Sequence, residues 1–220
     1  MPRRYDAVIF DLDGTLIDSV EAIKLIAGRF LGERGAEPLT IDEARSFVGR
    51  GGDVFARRML HARGLVAEGA EGDAHVRRFL EIYDEAPGHE NPPYPGAGEM
   101  LGALAGLPLG LCTNKPYRPT VNILDALGWA DTFASVVGGD TLAVKKPDPE
   151  PLRHTARELG VPLERTLFVG DSEVDTETAQ ATGAPYALHI NGYRGTPAQD
   201  LPALLYFDDF AVLADYVLGR

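Results

Sequence analysis

The chain has 220 residues, 45% hydrophobic and 25% charged, enough for a buried core in one domain or in a domain with a sizeable insert. Its formal net charge of −12 argues against a nucleic-acid backbone or an anionic membrane as partner, and no run approaches the ~18 apolar residues of a membrane span. One cysteine, Cys112, excludes an internal disulfide and a cysteine-built zinc cage; with a start, Met1-Pro2-Arg3-Arg4, unlike a signal peptide, a cytoplasmic protein is expected.

Taken in order, the first element is an apolar run, Ala7-Val8-Ile9-Phe10, that reads as a strand buried on both faces. It ends in Asp11-Leu12-Asp13-Gly14-Thr15. Side chains two apart in an extended chain share a direction, so Asp11 and Asp13 are expected to emerge together at the strand's C-terminal end, where open parallel sheets hold ligands. Two carboxylates held close repel unless a cation, a proton or a reaction uses them; a charged Asp-Gly turn is the plainer alternative.

From there to about residue 90 the pattern is helical. Asp18-Ser19 can cap a helix over 20–34, Thr40-x-x-Glu43 is a capping-box pattern opening a short helix to about residue 48, and Asp53 can cap a helix to about residue 63. A further amphipathic helix is expected over 73–85. The Pro-rich stretch from His89 to Gly96 reads as a linker. Beyond it the pattern alternates: helix to about 105, strand 107–112, helix 119–127, strand 134–137, helix 149–159, strand 166–169, helix 176–182, strand 186–190, strand 204–207, then a helix over 209–218 opened by Asp208-Asp209.

Strands alternating with helices predict a parallel sheet covered on both faces, and the first strand must join it to satisfy its backbone. The fold class expected is therefore α/β, a Rossmann-like parallel sheet with helices on both faces and an inserted α-helical cap. The core would comprise residues 1–15 and 92–220 and the cap 16–91, with hinges near Leu16 and Pro92. The five histidines, His61, His75, His89, His154 and His189, show no ligand spacing and are expected at the surface or in hydrogen bonds.

Three later stretches fall at strand ends. Thr113-Asn114 offers a hydroxyl, an amide and turn N–H groups for phosphate oxygens. Lys145-Lys146-Pro147-Asp148-Pro149 can aim an ammonium at the sheet's end, its prolines restricting the backbone around Lys146. Gly170-Asp171-Ser172-Glu173-Val174-Asp175 supplies acids from a second strand, so that carboxylates from two strand ends make the oxygen-rich setting that Mg²⁺ prefers. Singly, these stretches are also explained by a Thr-Asn turn, exposed loop lysines and a helix-capping acid. All four in this order are not easily a coincidence.

Asp11-Leu12-Asp13-Gly14-Thr15-Leu16, Thr113-Asn114, Lys146-Pro147 and Gly170-Asp171-Ser172-x-x-Asp175 resemble the four motifs of the haloacid dehalogenase-like hydrolase superfamily, and the helical insert is similar to its C1 cap. Within it, Tyr94-Pro95-Gly96, Leu109 to Pro116, Val137 to Asp140, Lys145-Lys146-Pro147 and Phe47 to Val54 resemble bacterial phosphoglycolate phosphatases. The resemblance implies a Mg²⁺-dependent phosphomonoester hydrolase with Asp11 as nucleophile forming an aspartyl-phosphate, and Asp13 as acid and base. It implies Mg²⁺ on the Asp11 side chain, the Asp13 carbonyl and Asp171; Asp175 and Ser172 as supporting residues; Thr113 and Asn114 on phosphate; and Lys146 pairing with Asp11.

The substrate expected is a small phosphorylated metabolite, foremost 2-phosphoglycolate, with Arg50 in its Gly-flanked loop as the contact for a carboxylate. A sugar phosphate, or a β-phosphoglucomutase-like transfer, is the alternative. A receiver-like signalling module would be half this length, and Gly96-x-Gly98 with Gly102 misses a dinucleotide fingerprint. A monomer or homodimer is expected.

Overall fold

Strand β1 (Ala7–Phe10) is completely buried and lies inside a six-stranded sheet, between β2 (Leu109–Cys112) and β4 (Thr166–Gly170). With β3 (Ser135–Val137), β5 (Tyr186–His189) and β6 (Leu205–Phe207) the order is β3-β2-β1-β4-β5-β6, every pairing parallel. The structure is a computed structural model describing residues 3–220, without the His89 side chain; the readings made at Met1, Pro2 and that imidazole lie outside it.

Alternation along β1 divides its side chains between two apolar layers. Val8 and Phe10 pack with α5 (Ala97–Ala103), α6 (Tyr117–Ala126) and α9 (Phe210–Leu218), through Met100, Ile123, Leu124 and Leu213. Ile9 packs on the other side with Leu152 of α7 (Glu150–Leu159) and Ala179 of α8 (Glu173–Thr182). The α/β class expected from the alternating pattern is what forms. Strand order reverses direction at β1, with β2 on one side and β4 on the other, and ligands of such sheets bind in the crevice at that switch point.

Between β1 and the sheet's return at β2, four helices gather a core of their own: α1 (Val20–Gly32), α2 (Ile41–Phe47), α3 (Gly52–Ala62) and α4 (Gly69–Asp84). Phe55 stacks on Phe79 at 5.5 Å and 15°, and Phe30 meets Phe79 edge-on at 6.0 Å. Fully burying each ring contributes on the order of 1.5–3 kcal/mol. The two chain segments joining these helices to the sheet run side by side. Ile17 bridges both Asp13 and Pro93, Asp18 N donates to the Pro92 carbonyl at 2.9 Å, and Tyr94 N donates to that of Leu16 at 3.0 Å.

The helix starts are partly as expected. Thr40 and Glu43 form the reciprocal capping box, and Asp209 accepts from Ala211 N at 2.8 Å. Ser19 makes no side-chain cap. Asp18 Oδ1 accepts from Val20 N at 3.5 Å, and the start of α1 is held further by Tyr193, whose hydroxyl oxygen accepts from Ser19 N at 2.8 Å and Val20 N at 3.1 Å while donating to Asp18 Oδ1. Asp53 does not cap α3 either; Gly51 occupies that position and the Asp53 carboxylate pairs with Lys145. Helix α4 starts at Gly69 rather than near 73. Gly72 sits against the Ala67 backbone, where a Cβ would lie 2.3 Å from its carbonyl carbon, and apolar periodicity cannot register a contact made by a glycine.

Candidate active site

The C-terminal ends of β1 and β4 bring Asp11 and Asp171 together at the switch point. Asp11 N still donates to Val169 O at 2.9 Å, so the β1–β4 ladder fixes where this carboxylate leaves the sheet. Asp11, Asp171 and Asp175 are all buried, and each offers a carboxylate oxygen within 4.8 Å of the others. Burial first, and the neighbouring Asp175 charge after it, push Asp11 up to about 6 against the counter-pull of Lys146. Burial, then Asp175 and Asp11, hold Asp171 well above the ordinary carboxylate range.

Lys146 is the cation set among them. Its Nζ lies 2.7 Å from Asp175 Oδ1 and 3.0 Å from Asp11 Oδ1. Burial pulls against the ammonium, but the two carboxylates outweigh it and keep it protonated. The Asp11 contact is an ion pair without hydrogen-bond alignment, so Asp11 Oδ1 is a buried acceptor with no hydrogen-bond partner. Three carboxylates face one ammonium there. An oxygen-lined, electron-rich cluster with an unsatisfied acceptor suits a hard divalent cation. Asp175 is already committed elsewhere: Oδ1 holds Lys146, and Oδ2 accepts from Asp171 N, Ser172 N and Ser172 Oγ, the last at 2.7 Å. Ser172 in turn caps α8 through the Asp175 N–H.

Asp171 is oriented by two donors that the motif does not announce. Thr15 Oγ1 donates to Oδ1 at 2.9 Å and Tyr193 N to Oδ2 at 2.5 Å. Gly14, with φ +81°, admits this approach, since a Cβ there would fall 2.5 Å from Asp171 Oδ2. His189, buried below, has its Nδ1 2.9 Å from the Gly14 carbonyl; burial lowers its pKa, and the neutral ring donates from that nitrogen.

On the β2 side, Thr113 and Asn114 are buried beside Asp11 and Asp13 around a cavity of about 30 Å³. Thr113 Oγ1 accepts from Lys115 N at 3.2 Å, which leaves its own proton free to be donated. Asn114 uses both amide hydrogens inside the protein, on Gly49 O at 3.0 Å and Lys146 O at 2.8 Å, so its side chain ties the loop before α3 to the lysine loop. Asp13 is met by Lys115, whose Nζ stands 2.9 Å from Asp13 Oδ1 and donates to Tyr83 Oη of α4 at 2.7 Å. Neither Lys115 nor Tyr83 stood out as a site residue in the sequence, although Lys115 directly follows Thr113-Asn114.

Arg50 is exposed and does not line that cavity. It lines a neighbouring one of about 460 Å³ with Arg45, Arg58, Arg194 and Glu173, separated by Val48 and Gly49, which border both. Cys112 is fully buried, and burial raises its thiol to about 12, in keeping with a packing role.

A family model described as haloacid dehalogenase-like hydrolase matches residues 5–183. The chain is 43% identical over 223 residues to a phosphoglycolate phosphatase of Rhodospirillum rubrum, covering 99% of this chain and 91% of that one. It is 41% identical to a phosphoglycolate phosphatase of Rhodobacter capsulatus, with 97% of each chain covered. Among solved structures, a predicted phosphoglycolate phosphatase from Haemophilus somnus superposes with a TM-score of 0.88 at 28% identity, over 96% of both chains.

Proposed function

Since the chain belongs to the haloacid dehalogenase-like hydrolase family and is a phosphoric monoester hydrolase, we propose that its substrate is 2-phosphoglycolate, cleaved to glycolate and phosphate through an aspartyl-phosphate with Mg²⁺. The observation that carries this reading is the meeting of Asp11, Asp171 and Lys146 at the sheet's switch point, with Asp13 and Thr113 beside them. The names of the relatives support the choice of substrate.

In this reading an Asp11 oxygen forms a bond to phosphorus as the ester P–O bond breaks. Asp13 gives its proton to the departing glycolate oxygen and later takes one from the water that attacks the aspartyl-phosphate. Thr113 donates to a phosphate oxygen, and Lys146 balances charge on Asp11 and on the transferring group. Asn114 acts one step back, by fixing the loops of Gly49 and Lys146. Held by the Asp11 side chain, the Asp13 carbonyl and Asp171, Mg²⁺ when bound neutralises charge on the phosphoryl oxygens. Asp175 and Ser172 keep Lys146 and Asp171 in place.

Residues 16–91 act as a cap over a core of 1–15 and 92–220. The space beneath them, bordered by Ile23, Val48, Phe55 and Tyr83, is where the leaving group would lie. Arg50 contributes from the outer cavity, as one of four arginines that attract a dianion toward a chain of net charge −12. The test is phosphate release from 2-phosphoglycolate and from sugar phosphates, with Mg²⁺ and with chelator, for wild type and Arg50→Ala. Fastest turnover of 2-phosphoglycolate, abolished by chelator, supports the reading. Isomerisation of a sugar phosphate without phosphate release replaces it with a mutase.

A further inference from the structure

Lys115 is buried at the boundary between the sheet and the four-helix unit, and it is the only basic side chain lining the cavity over Asp11 among the described residues. Its position is set from three directions. It leaves the end of β2 behind Thr113, its Nζ lies 2.9 Å from Asp13 Oδ1, and it donates to Tyr83 Oη at 2.7 Å. An ammonium has three donors, and only two are engaged. The Asp13 carboxylate beside it balances the buried ammonium. Burial lifts the Tyr83 phenol to about 12, so it remains neutral, and by accepting from Lys115 it keeps its own proton available. One cation and one phenol thus leave two unspent donors in a pocket whose other walls include Ile23, Val48 and Phe55.

Resting on the phosphoglycolate reading, we propose that Lys115 and Tyr83 form the carboxylate subsite, the pair that recognises the acid end of the substrate. In 2-phosphoglycolate the ester oxygen and the carboxylate are separated by a single methylene. A group placed to protonate that oxygen therefore stands a few ångströms from the carboxylate, and Lys115 touches Asp13 itself. Arg50 borders a different cavity and is exposed, whereas a buried ammonium with a donor to spare, beside a neutral phenol, favours an anion over an uncharged group that would leave that donor unmet. Tyr83 belongs to α4 and Lys115 to the loop after β2, so the subsite is complete only when the helical unit is closed on the sheet. Specificity for the carboxylate and closure become one event.

The experiment compares kcat/KM for 2-phosphoglycolate, 2-phospholactate and ethyl phosphate, which lacks the carboxylate, in wild type, Lys115→Gln, Lys115→Arg and Tyr83→Phe. Lys115→Gln keeps hydrogen bonding to Asp13 and Tyr83 while removing the charge, and circular dichroism with a thermal midpoint verifies that each variant is folded. Wild type is expected to prefer the carboxylated esters. The ratio of carboxylated to plain ester should fall roughly 10- to 100-fold in Lys115→Gln, less in Tyr83→Phe, and least in Lys115→Arg. Equal losses on all esters overturn the assignment, since they describe a lysine that only supports Asp13. A wild type that favours 2-phospholactate, with the ratio still collapsing in Lys115→Gln, keeps the subsite and overturns the phosphoglycolate reading. A wild type indifferent to the carboxylate overturns both.

Discussion

Asp175 and Lys146 form a completely enclosed ion pair, Oδ1 to Nζ 2.7 Å, which fastens the first turn of α8 to the loop ahead of α7. Removing one partner of such a pair leaves an uncompensated buried charge. Lys146→Met is therefore expected to lower stability in metal-free buffer by about 3–5 kcal/mol, read from the urea midpoint at an unchanged m-value, and to abolish turnover. Asp175→Asn should retain measurable turnover if Asp175 serves to hold Lys146 and Ser172; loss equal to that of Lys146→Met would place it in the chemistry.

Asp11 is the group without which the proposed reaction has no first step. Asp11→Asn should bring phosphate release to background. The fold should survive, because the β1–β4 ladder passes through the Asp11 backbone rather than its side chain. An unchanged circular dichroism spectrum with residual turnover near wild type would remove Asp11 from the nucleophile's role.

Burial raises Asp11 to about 6 from an ordinary 3.8. A folded state that binds its proton more tightly than the unfolded chain is favoured at low pH, and this contribution is fully present below about 3.8 and lost as pH rises through about 6. The raised Asp171 acts in the same direction. With chelator present, these two groups should make the thermal midpoint fall between pH 5 and pH 7. Adding Mg²⁺ should raise the midpoint at pH 7 more than at pH 5, because ligands that are already ionised release fewer protons on binding. No metal-dependent shift in differential scanning calorimetry at either pH would count against these acids as the metal site.

Tyr193 joins the acid cluster to the start of α1. Its backbone N–H orients Asp171, and its hydroxyl holds Ser19 N, Val20 N and Asp18. Tyr193→Phe leaves two buried N–H groups without that acceptor and should cost about 1–3 kcal/mol. Amide hydrogen exchange should speed up first at Ser19 and Val20, while Asp171 keeps its backbone donor. Uniform loss of protection across the sheet would contradict this local role.

At the surface, Glu43 meets Arg63 through both oxygens, at 2.9 and 2.7 Å, and also accepts from Thr40 N. The Arg63 hydrogen bonds, and then the Thr40 backbone, draw its pKa down to about 2 from 4.5. A depressed carboxylate stabilises above the unfolded value and loses its contribution as pH falls toward about 2. Wild type should exceed Glu43→Gln in thermal midpoint at pH 7, with the gap closing in acid. A gap that persists at pH 2 would assign the effect to shape rather than charge.

The sheet was legible because β1, β2 and β4 are short apolar runs flanked by punctuation, and the acids at their ends carry motif spacing. What the sequence concealed depends on long-range approach. Tyr193 is 174 positions from Ser19, and nothing local to it marks a helix cap. Lys115 and Tyr83 meet across 32 positions, on elements whose relative placement the helical periodicity does not determine. Arg50, expected to contact the substrate, lines the outer cavity, and Asn114 holds its loop at Gly49. Each of these is decided by which distant elements the fold brings together rather than by residue type.

The paired connections at Ile17 and Pro93 have a consequence for how such molecules diversify. Departure and return share one gateway, stitched by Ile17 to Pro93 and by Tyr94 N to Leu16 O at 3.0 Å. The strands would barely register what is threaded between those stitches, so the intervening helices are free to be shortened, exchanged or grafted while the six-stranded scaffold keeps its register. A chimaera joining this scaffold to a relative's helices at Leu16 and Pro93 inherits a ready-made docking seam.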